Sequence, residues 1–388
     1  MLRAIAALTL MLCVSHVEAK VKPLVEVGDG KGKTYQGRVE SLDKRTVTMM
    51  RRDGSLFQLR RSGIKTFKQI AAKFKPLSKN EMVAKLREEL GKGFVVQTTQ
   101  HYIVCTPKGS KKNYAGVFEN VYKAFHYQFR RRQFHLQKNE FPLVAIVFPG
   151  FQDFAKYAAK DGVRASPGLL GYYHRMSNRV AVYESSRRAT LDRPLRTGQL
   201  QRPLEADDNV YRDTGSGADL ESTITHETIH QVSFNTGIHP RLGHAPRWII
   251  EGLAMTFESP GFLATSGNAR GSSRLNRDRL VWFKGYSQTN RPRKSLKAFV
   301  ESGRMFQTAA LDAYSQSWAL TFFFMDQPAR AYKFGRYIRA MNQRELTAGY
   351  TAKDRLADFE NAFGDVERVE TDFLRFMRDL DPNAVASR

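Results

Sequence analysis

The stretch Thr225–Gly237, THETIHQVSFNTG, places two histidines four positions apart with a glutamate directly after the first. On an α-helix, residues four apart lie one turn apart on the same side, so His226 and His230 could both bind one metal ion. Glu227 points about 100° away around the helix axis. From there its carboxylate can take the proton of a water that the metal activates. The alternative is an ordinary amphipathic helix with three polar residues.

The residues around this stretch predict a helix. Asp219 suits the N-cap, and Gly237 stands where a left-handed glycine commonly ends a helix. Leu220, Ile224 and Val232 repeat on one side between them. The spacing therefore predicts a helix of about 17 residues, with an apolar side that anchors it and a polar side that presents the histidines.

A third metal ligand is expected on the next helix. Glu251 follows in the segment APRWIIEGLAMTFESP, where Pro246 suits a first helical turn and Pro260 ends the helix. A carboxylate directed from this helix onto the first would complete a three-ligand site with one open position, the pattern of catalytic zinc. A purely structural metal site is the alternative, but such a site would not need Glu227.

These residues carry a family resemblance. HETIH followed by WIIEGLA resembles the gluzincin metallopeptidases, in which HExxH is followed by a glutamate ligand on the next helix. HYIVCT, GYYHRMSNRVAVYE, WIIEGLAMTFE and AYSQSWAL resemble, more narrowly, an uncharacterised family of secreted bacterial peptidase-MA-like proteins, over roughly Phe94 to Leu380. The resemblance implies a zincin-like fold that acts on a peptide or protein substrate. It implies one Zn²⁺ per chain on His226, His230 and Glu251, with Glu227 as catalytic base.

The resemblance also assigns roles outside the zinc ligands. It implies that the strand Val180–Glu184 is the sheet edge that pairs with an extended substrate. It suggests Tyr314 as the catalytic residue that stabilises the oxyanion, while a core tyrosine packed with Trp318 and Phe322 is the alternative. Glu258 could orient a histidine ligand, or it could be a solvated helix end.

The other histidines have simpler expected roles. His239 and His244 fall in the segment GIHPRLGHAPR between the two helices, which predicts loop surface, although contact with substrate is the alternative. His101 and His174 fall in strand or hairpin segments, which predicts structural roles.

The first 19 residues, MLRAIAALTLMLCVSHVEA, have a basic start, an apolar run and a small final residue. They are typical of a secretory signal peptide cleaved after Ala19, which places the protein outside the cell or in the cell envelope or periplasm. Later apolar runs are far shorter than the roughly 20 residues of a membrane-spanning helix. Only Cys105 remains after cleavage, which excludes an intramolecular disulfide and predicts a buried thiol.

The charge balance is strongly basic, with 62 Lys and Arg against 38 Asp and Glu and a net charge of +24. Such a field favours anionic partners. The basic residues are spread along the chain without an RNA-binding signature, which does not favour specific nucleic-acid binding. The charge could also serve only solubility. The alternative to an enzyme is a non-catalytic envelope protein that binds anionic surface polymers on a zincin scaffold.

The pattern of elements predicts an α+β chain with four parts after the signal peptide. These are a small SH3-like β-barrel at 20–70, a linker with a helix at 71–92, a zincin-like upper lobe with a mixed sheet and the HExxH helix at 93–260, and a mostly helical lobe at 261–388. Polar residues 185–217 are expected to form a long loop that closes over a site or is disordered.

Individual elements of the upper lobe are predicted from the same patterns. FVVQTTQHYIVCT indicates one strand over Phe94–Thr106, and the apolar stripe that follows in YAGVFENVYKAFHYQF indicates a helix. Phe141–Phe148 indicates a buried strand, and the turn residues Ser177 and Asn178 indicate a hairpin.

Overall fold

The computed structural model describes residues 22–166, 168–184, 210–212, 220–265, 271–345 and 349–381. The expected signal peptide and most of the expected loop at 185–217 lie outside these residues. The described chain is α+β, as predicted. It has a five-stranded and a six-stranded sheet and, after the sheets, a mostly helical C-terminal part.

Strands β1–β5 form the smaller sheet and strands β6–β11 form the larger one. Their bounds are β1 Leu24–Gly28, β2 Thr34–Leu42, β3 Thr46–Met50, β4 Leu56–Arg60, β5 Thr66–Ala71, β6 Phe94–Thr98, β7 Tyr102–Pro107, β8 Leu143–Phe148, β9 Gly171–His174, β10 Arg179–Tyr183 and β11 Val210–Arg212.

The α-helices flank the larger sheet and make up most of the C-terminal part. Their bounds are α1 Lys79–Leu90, α2 Tyr114–Arg131, α3 Phe151–Lys160, α4 Leu220–Asn235, α5 Arg247–Phe257, α6 Pro260–Leu263, α7 Arg277–Thr289, α8 Leu296–Glu301, α9 Met305–Thr308, α10 Ala310–Asp326, α11 Pro328–Asn342, α12 Ala352–Phe363 and α13 Val366–Asp379.

The N-terminal sheet is antiparallel, with strand order β4-β3-β2-β1-β5. Its last strand ends at Ala71, next to the predicted boundary at residue 70. The predicted β-rich start is confirmed at this level, and closure into an SH3-like barrel stays a prediction. The sheet is fastened to the rest of the chain, since the Leu56 backbone N–H donates to the Met176 carbonyl at 2.7 Å.

The second sheet has the order β11-β9-β10-β8-β7-β6 and is mixed, as predicted. Strands β7, β8 and β10 are parallel neighbours, and the other pairings are antiparallel. The single strand predicted over Phe94–Thr106 was wrong. The chain reverses between β6 and β7, where the Thr99 N–H donates to the Tyr102 carbonyl at 2.9 Å, so the stretch forms a hairpin.

The predicted edge strand at Val180–Glu184 was also wrong. β10 lies inside the sheet, because it pairs with β8 on one side and with β9 on the other. β9 is the outer strand of this hairpin, and the short strand β11 pairs with it in turn. The expected hairpin turn is confirmed at Asn178, which adopts a φ of 59°.

Each face of the larger sheet has its own core. One face is covered by α2 and α4, whose apolar residues join those of the C-terminal helices in the largest hydrophobic cluster. The other face is covered by α1 and α3 and contains Cys105, the buried thiol that the sequence predicts. Burial raises the pKa of Cys105 to about 12, so it is a poor thiolate at neutral pH. No helix in the described ranges has the length and apolarity that crossing a bilayer requires.

The C-terminal part is mostly helical, as predicted, and α10, α11, α12 and α13 make up most of it. α10 lies at its centre and is buried from Ala313 to Met325. Gly364 ends α12 with a positive φ. α10 also packs along α5, and this places it beside the helix that carries Glu251.

Candidate metal centre

Helix α4 confirms the predicted helix but not its amphipathic character. Every residue from Thr223 to Phe234 is buried, including the polar ones. The side predicted to be polar is covered because α4 packs between the sheet, α2 and α5. Gln231 fastens the helix to the sheet, since its amide nitrogen donates to the carbonyls of Val144 at 3.0 Å and Asn178 at 2.8 Å.

Helix α5 brings Glu251 to this helix. The next residue, Gly252, permits close contact with α10: a Cβ at this position would lie 2.2 Å from the Thr321 hydroxyl oxygen and 2.3 Å from the Ser317 carbonyl oxygen. Such distances exclude any larger side chain without movement of α10. Gly252 therefore has a packing role, because it sets how near α10 lies to α5, the helix that carries Glu251.

His226, His230 and Glu251 meet in one group. Nε2 of His226 and Nε2 of His230 are 3.0 Å apart. Oε2 of Glu251 lies 3.4 Å from Nε2 of His226 and 3.7 Å from Nε2 of His230. All three residues are buried, and they are a possible metal-binding group. Donors about 2.1 Å from a tetrahedral ion lie roughly 3.4 Å from one another. The group therefore fits a single metal ion with two nitrogen donors and one oxygen donor.

The environment of Glu251 supports the same interpretation. Neither of its carboxylate oxygens makes a hydrogen bond of normal geometry with the described residues. Burial opposes its ionisation, but the imidazoles of His226 and His230 and the guanidinium of Arg247 outweigh burial and hold its pKa below the usual range. A buried carboxylate that stays charged requires a nearby cation, and a metal ion held by the two histidines would supply one.

Glu258 contacts His226, which agrees with its predicted role of orienting a histidine and not with a solvated helix end. Its Oε1 lies 2.8 Å from Nδ1 of His226, and its Oε2 accepts a hydrogen bond from Asn276 at 2.9 Å. The carboxylate fixes the imidazole with its proton on Nδ1. Nε2 then directs its lone pair towards His230 and Glu251.

Glu227 lies next to the group without joining it. It is fully buried, and its Oε2 accepts a hydrogen bond from the backbone N–H of Tyr173 on β9 at 2.6 Å. This bond holds the carboxylate and stabilises its charged form. The sequence predicts Glu227 as a base, and the structure adds that a strand from the sheet positions it.

Tyr314 lies on α10 close to Glu251, but in contact with a residue that was not predicted. The Nη2 of Arg247 donates to its hydroxyl oxygen at 3.3 Å, and the Nε of the same guanidinium is 3.6 Å from Oε1 of Glu251. The ring also packs edge-on against Phe306. Tyr314 is therefore buried, as its alternative role required, and is also linked to the metal-ligand group through Arg247.

The other histidines discussed in the sequence analysis do not belong to the group of His226, His230 and Glu251. His244 is exposed, as predicted. The prediction of loop surface was wrong for His239, which is buried and packs against Phe234 because the chain after α4 turns back onto the core. His101 bonds Glu119 at 2.8 Å, and His174 bonds Ser177 at 3.1 Å, which confirms structural roles for both.

Sequence reasoning missed three residues of the site. Arg247 lies one turn before Glu251 on α5, so the four-residue spacing could have indicated it. Tyr173 acts through its backbone, and Asn276 acts from a segment 18 residues after Glu258. Neither of these two has a local signal in the sequence.

Residues 221–347 match a family described as a protein of unknown function (DUF1570). The match begins in α4 and ends after α11, so it includes His226, His230, Glu251 and Tyr314. The chain is similar to that family over this part. No curated protein matches the chain.

Proposed function

We propose that this protein is a zinc-dependent peptidase of the gluzincin type on a zincin-like fold, which acts outside the cell or in the cell envelope. One observation carries the proposal: a two-histidine, one-carboxylate group is buried, and the residue after its first histidine, Glu227, is a second buried carboxylate that is not part of the group. Nitrogen and oxygen donors in this number suit zinc. The signal peptide predicted for residues 1–19 supports export.

His226, His230 and Glu251 would hold the zinc ion. When bound, zinc supplies Lewis-acid chemistry, polarising a substrate carbonyl and lowering the pKa of water. Glu258 keeps the His226 ring oriented for binding. A site with only a structural purpose would need these residues but would have no use for a fully buried, hydrogen-bonded glutamate at position 227.

Glu227 is the base in this proposal. Its carboxylate takes the proton of the attacking water and returns it to the leaving amine as the peptide bond breaks. The Tyr173 N–H holds the carboxylate in place for both transfers. Tyr314, which accepts a hydrogen bond from Arg247, can direct its own O–H proton to the negative charge that develops on the carbonyl oxygen.

Metal analysis combined with Glu227→Gln tests the proposal. The purified wild type should contain one zinc per chain and cleave members of a peptide library. Glu227→Gln should keep the zinc and lose about 10²–10⁴-fold in cleavage rate, because only the base is removed. Glu221→Gln is the matched control, since Glu221 is an exposed glutamate at the start of the same helix.

Two outcomes would contradict the proposal. Cleavage by Glu227→Gln as fast as by the wild type would show that this carboxylate is not the base. A wild type without zinc that cleaves nothing, but is retained on heparin until salt is added, would favour the envelope protein that binds anionic polymers.

A further inference from the structure

A line of side chains leads from the buried metal-ligand group towards the surface. Glu251 is fully buried, whereas the side chain of Arg247, 3.6 Å away, is 32% exposed. Arg247 donates to the Tyr314 hydroxyl, and the guanidinium of Arg279 lies over the Tyr314 ring, 5.9 Å from its centre. Two cations therefore lie on two sides of the tyrosine, one at its hydroxyl and one at its ring face.

Arg279 differs from Arg274 and Arg291 in its charge environment. Arg274 pairs with Asp326 at 3.2 Å, and Arg291 pairs with Glu370 at 2.5 Å. Among the described residues no carboxylate oxygen lies within 4 Å of the Arg279 guanidinium, although the residue is only partly exposed. An arginine held over an aromatic ring without an acid partner keeps its charge available to a ligand.

The carboxylates near Arg279 are directed elsewhere or exposed. Asp312, on the first turn of α10, accepts a hydrogen bond from the indole Nε1 of Trp282 at 2.8 Å. Asp278, the residue before Arg279, is exposed at the first turn of α7. Trp282 is itself 46% exposed and lies one turn after Arg279 on α7. The surface beside Tyr314 thus combines unneutralised positive charge with an aromatic side chain.

We infer that Arg279 and Arg247 form a subsite that binds a carboxylate of the peptide substrate, beside the catalytic group. This inference rests on the proposed peptidase function, and it names peptides that present a carboxylate to the subsite as the substrate class. The guanidinium presents its N–H groups in a planar fork that matches a carboxylate. The exposed face of Trp282 supplies apolar contact to the neighbouring part of the peptide. The carboxylate is either a free C-terminus or a Glu or Asp side chain.

Peptide binding to the Glu227→Gln protein tests the subsite without cleavage. Three peptides of one sequence carry the same uncharged dye: the first has a free C-terminus and glutamines, the second a C-terminal amide and glutamates, and the third an amide and glutamines. Fluorescence anisotropy should show at least one of the first two binding about 10-fold more tightly than the third. The peptide with the advantage identifies the source of the carboxylate.

Substitution of Arg279 in the same background locates the preference. Arg279→Gln should remove the 10-fold advantage, and Arg279→Lys, which keeps the charge but not the fork, should restore part of it. Arg87→Gln is the control, because Arg87 is an exposed arginine on α1, on the opposite face of the sheet. Equal binding of all three peptides, or equal loss of preference in Arg87→Gln and Arg279→Gln, would overturn the subsite.

The binding readout separates this inference from the proposed function. A protein that cleaves nothing but keeps an Arg279-dependent preference contradicts the peptidase proposal and leaves a carboxylate-binding site. An active zinc peptidase with no preference contradicts the subsite alone.

Discussion

Two histidine–glutamate pairs in this protein have the same geometry. Nδ1 of His101 is 2.8 Å from Oε1 of Glu119, and Nδ1 of His226 is 2.8 Å from Oε1 of Glu258. The difference lies at the far side of each ring. The His101 ring stacks on Tyr122 with centroids 3.9 Å apart, whereas Nε2 of His226 faces a second imidazole and a carboxylate.

The carboxylates of the two pairs also have different partners. Glu119 accepts hydrogen bonds from the Thr99 hydroxyl at 2.6 Å and from the backbone N–H of His101 at 3.1 Å, so it closes the turn between β6 and β7. Glu258 accepts a hydrogen bond from Asn276 in addition to its contact with His226. A histidine–carboxylate pair therefore indicates a possible metal site only where further donor atoms lie close to the other ring nitrogen.

The largest expected effect is loss of the metal. His226→Ala should lower the zinc content from about one per chain to near zero, because two donors cannot hold the ion that three hold. His101→Ala should keep the full zinc content. Elemental analysis of both purified variants checks this, and equal zinc in the two would remove the distinction between the pairs.

His239 is buried and its ring makes no hydrogen bond with the described residues, so it should make stability depend on pH. Burial, reinforced by the charge of His230, lowers the pKa of His239 to about 3. The unfolded chain therefore binds a proton that the folded chain excludes, and the free energy of unfolding falls as pH drops from about 6.5 towards 3.

His239→Leu tests this dependence. Between pH 7 and pH 4 the wild type should lose about 3 kcal/mol more stability than the variant, at 1.36 kcal/mol for each pKa unit. Urea denaturation at both pH values, with a chelator present throughout, measures the difference. If both proteins lost the same free energy of unfolding between the two pH values, His239 would not be the group responsible.

Removal of each carboxylate should separate the two pairs further. Glu258→Gln should weaken zinc binding by about 10–100-fold, because the His226 ring loses the acceptor that orients it. Glu119→Gln should leave zinc affinity unchanged and lower the free energy of unfolding by about 1–3 kcal/mol, since buried hydrogen bonds are lost. Competition with a chromophoric chelator measures the affinities. An equal change in both variants would contradict the assignment.

The smallest effect is expected at Asn276. Asn276→Ala removes one hydrogen bond to Glu258, worth about 0.5–1.5 kcal/mol. Zinc affinity should fall by less than 10-fold in the same chelator assay. A larger loss than in Glu258→Gln would show that Asn276 acts on the site by a route other than the carboxylate.

Local spacing predicted much of the metal site. His226, Glu227 and His230 share one helix, so the helical repeat alone determines which of them point the same way. Glu251 lies on the next helix, and its distance in sequence was enough to suggest it. The helical character of the C-terminal part followed from apolar spacing for the same local reason.

Strand order and burial were not predictable in this way. An alternating strand pattern shows that a residue lies in a sheet but not which strands flank it, so β10 was placed at the edge although it pairs on both sides. The segment around His239 has the composition of a loop, and only its return onto Phe234 buries it. α4 was expected to have an apolar side and a polar side, but α2, α5 and the sheet bury residues on both sides.

The sequence by itself determined which side chains could act as metal donors and base, because those residues are related by the fixed geometry of a single helix and its neighbour. The tertiary structure decided what surrounds them: Glu258 and Asn276 behind His226, the Tyr173 N–H on Glu227, and Arg247 between Glu251 and Tyr314. These contacts join elements that are up to 67 residues apart in the chain. Only the packing of helices and strands brings such residues together, and no local pattern records it.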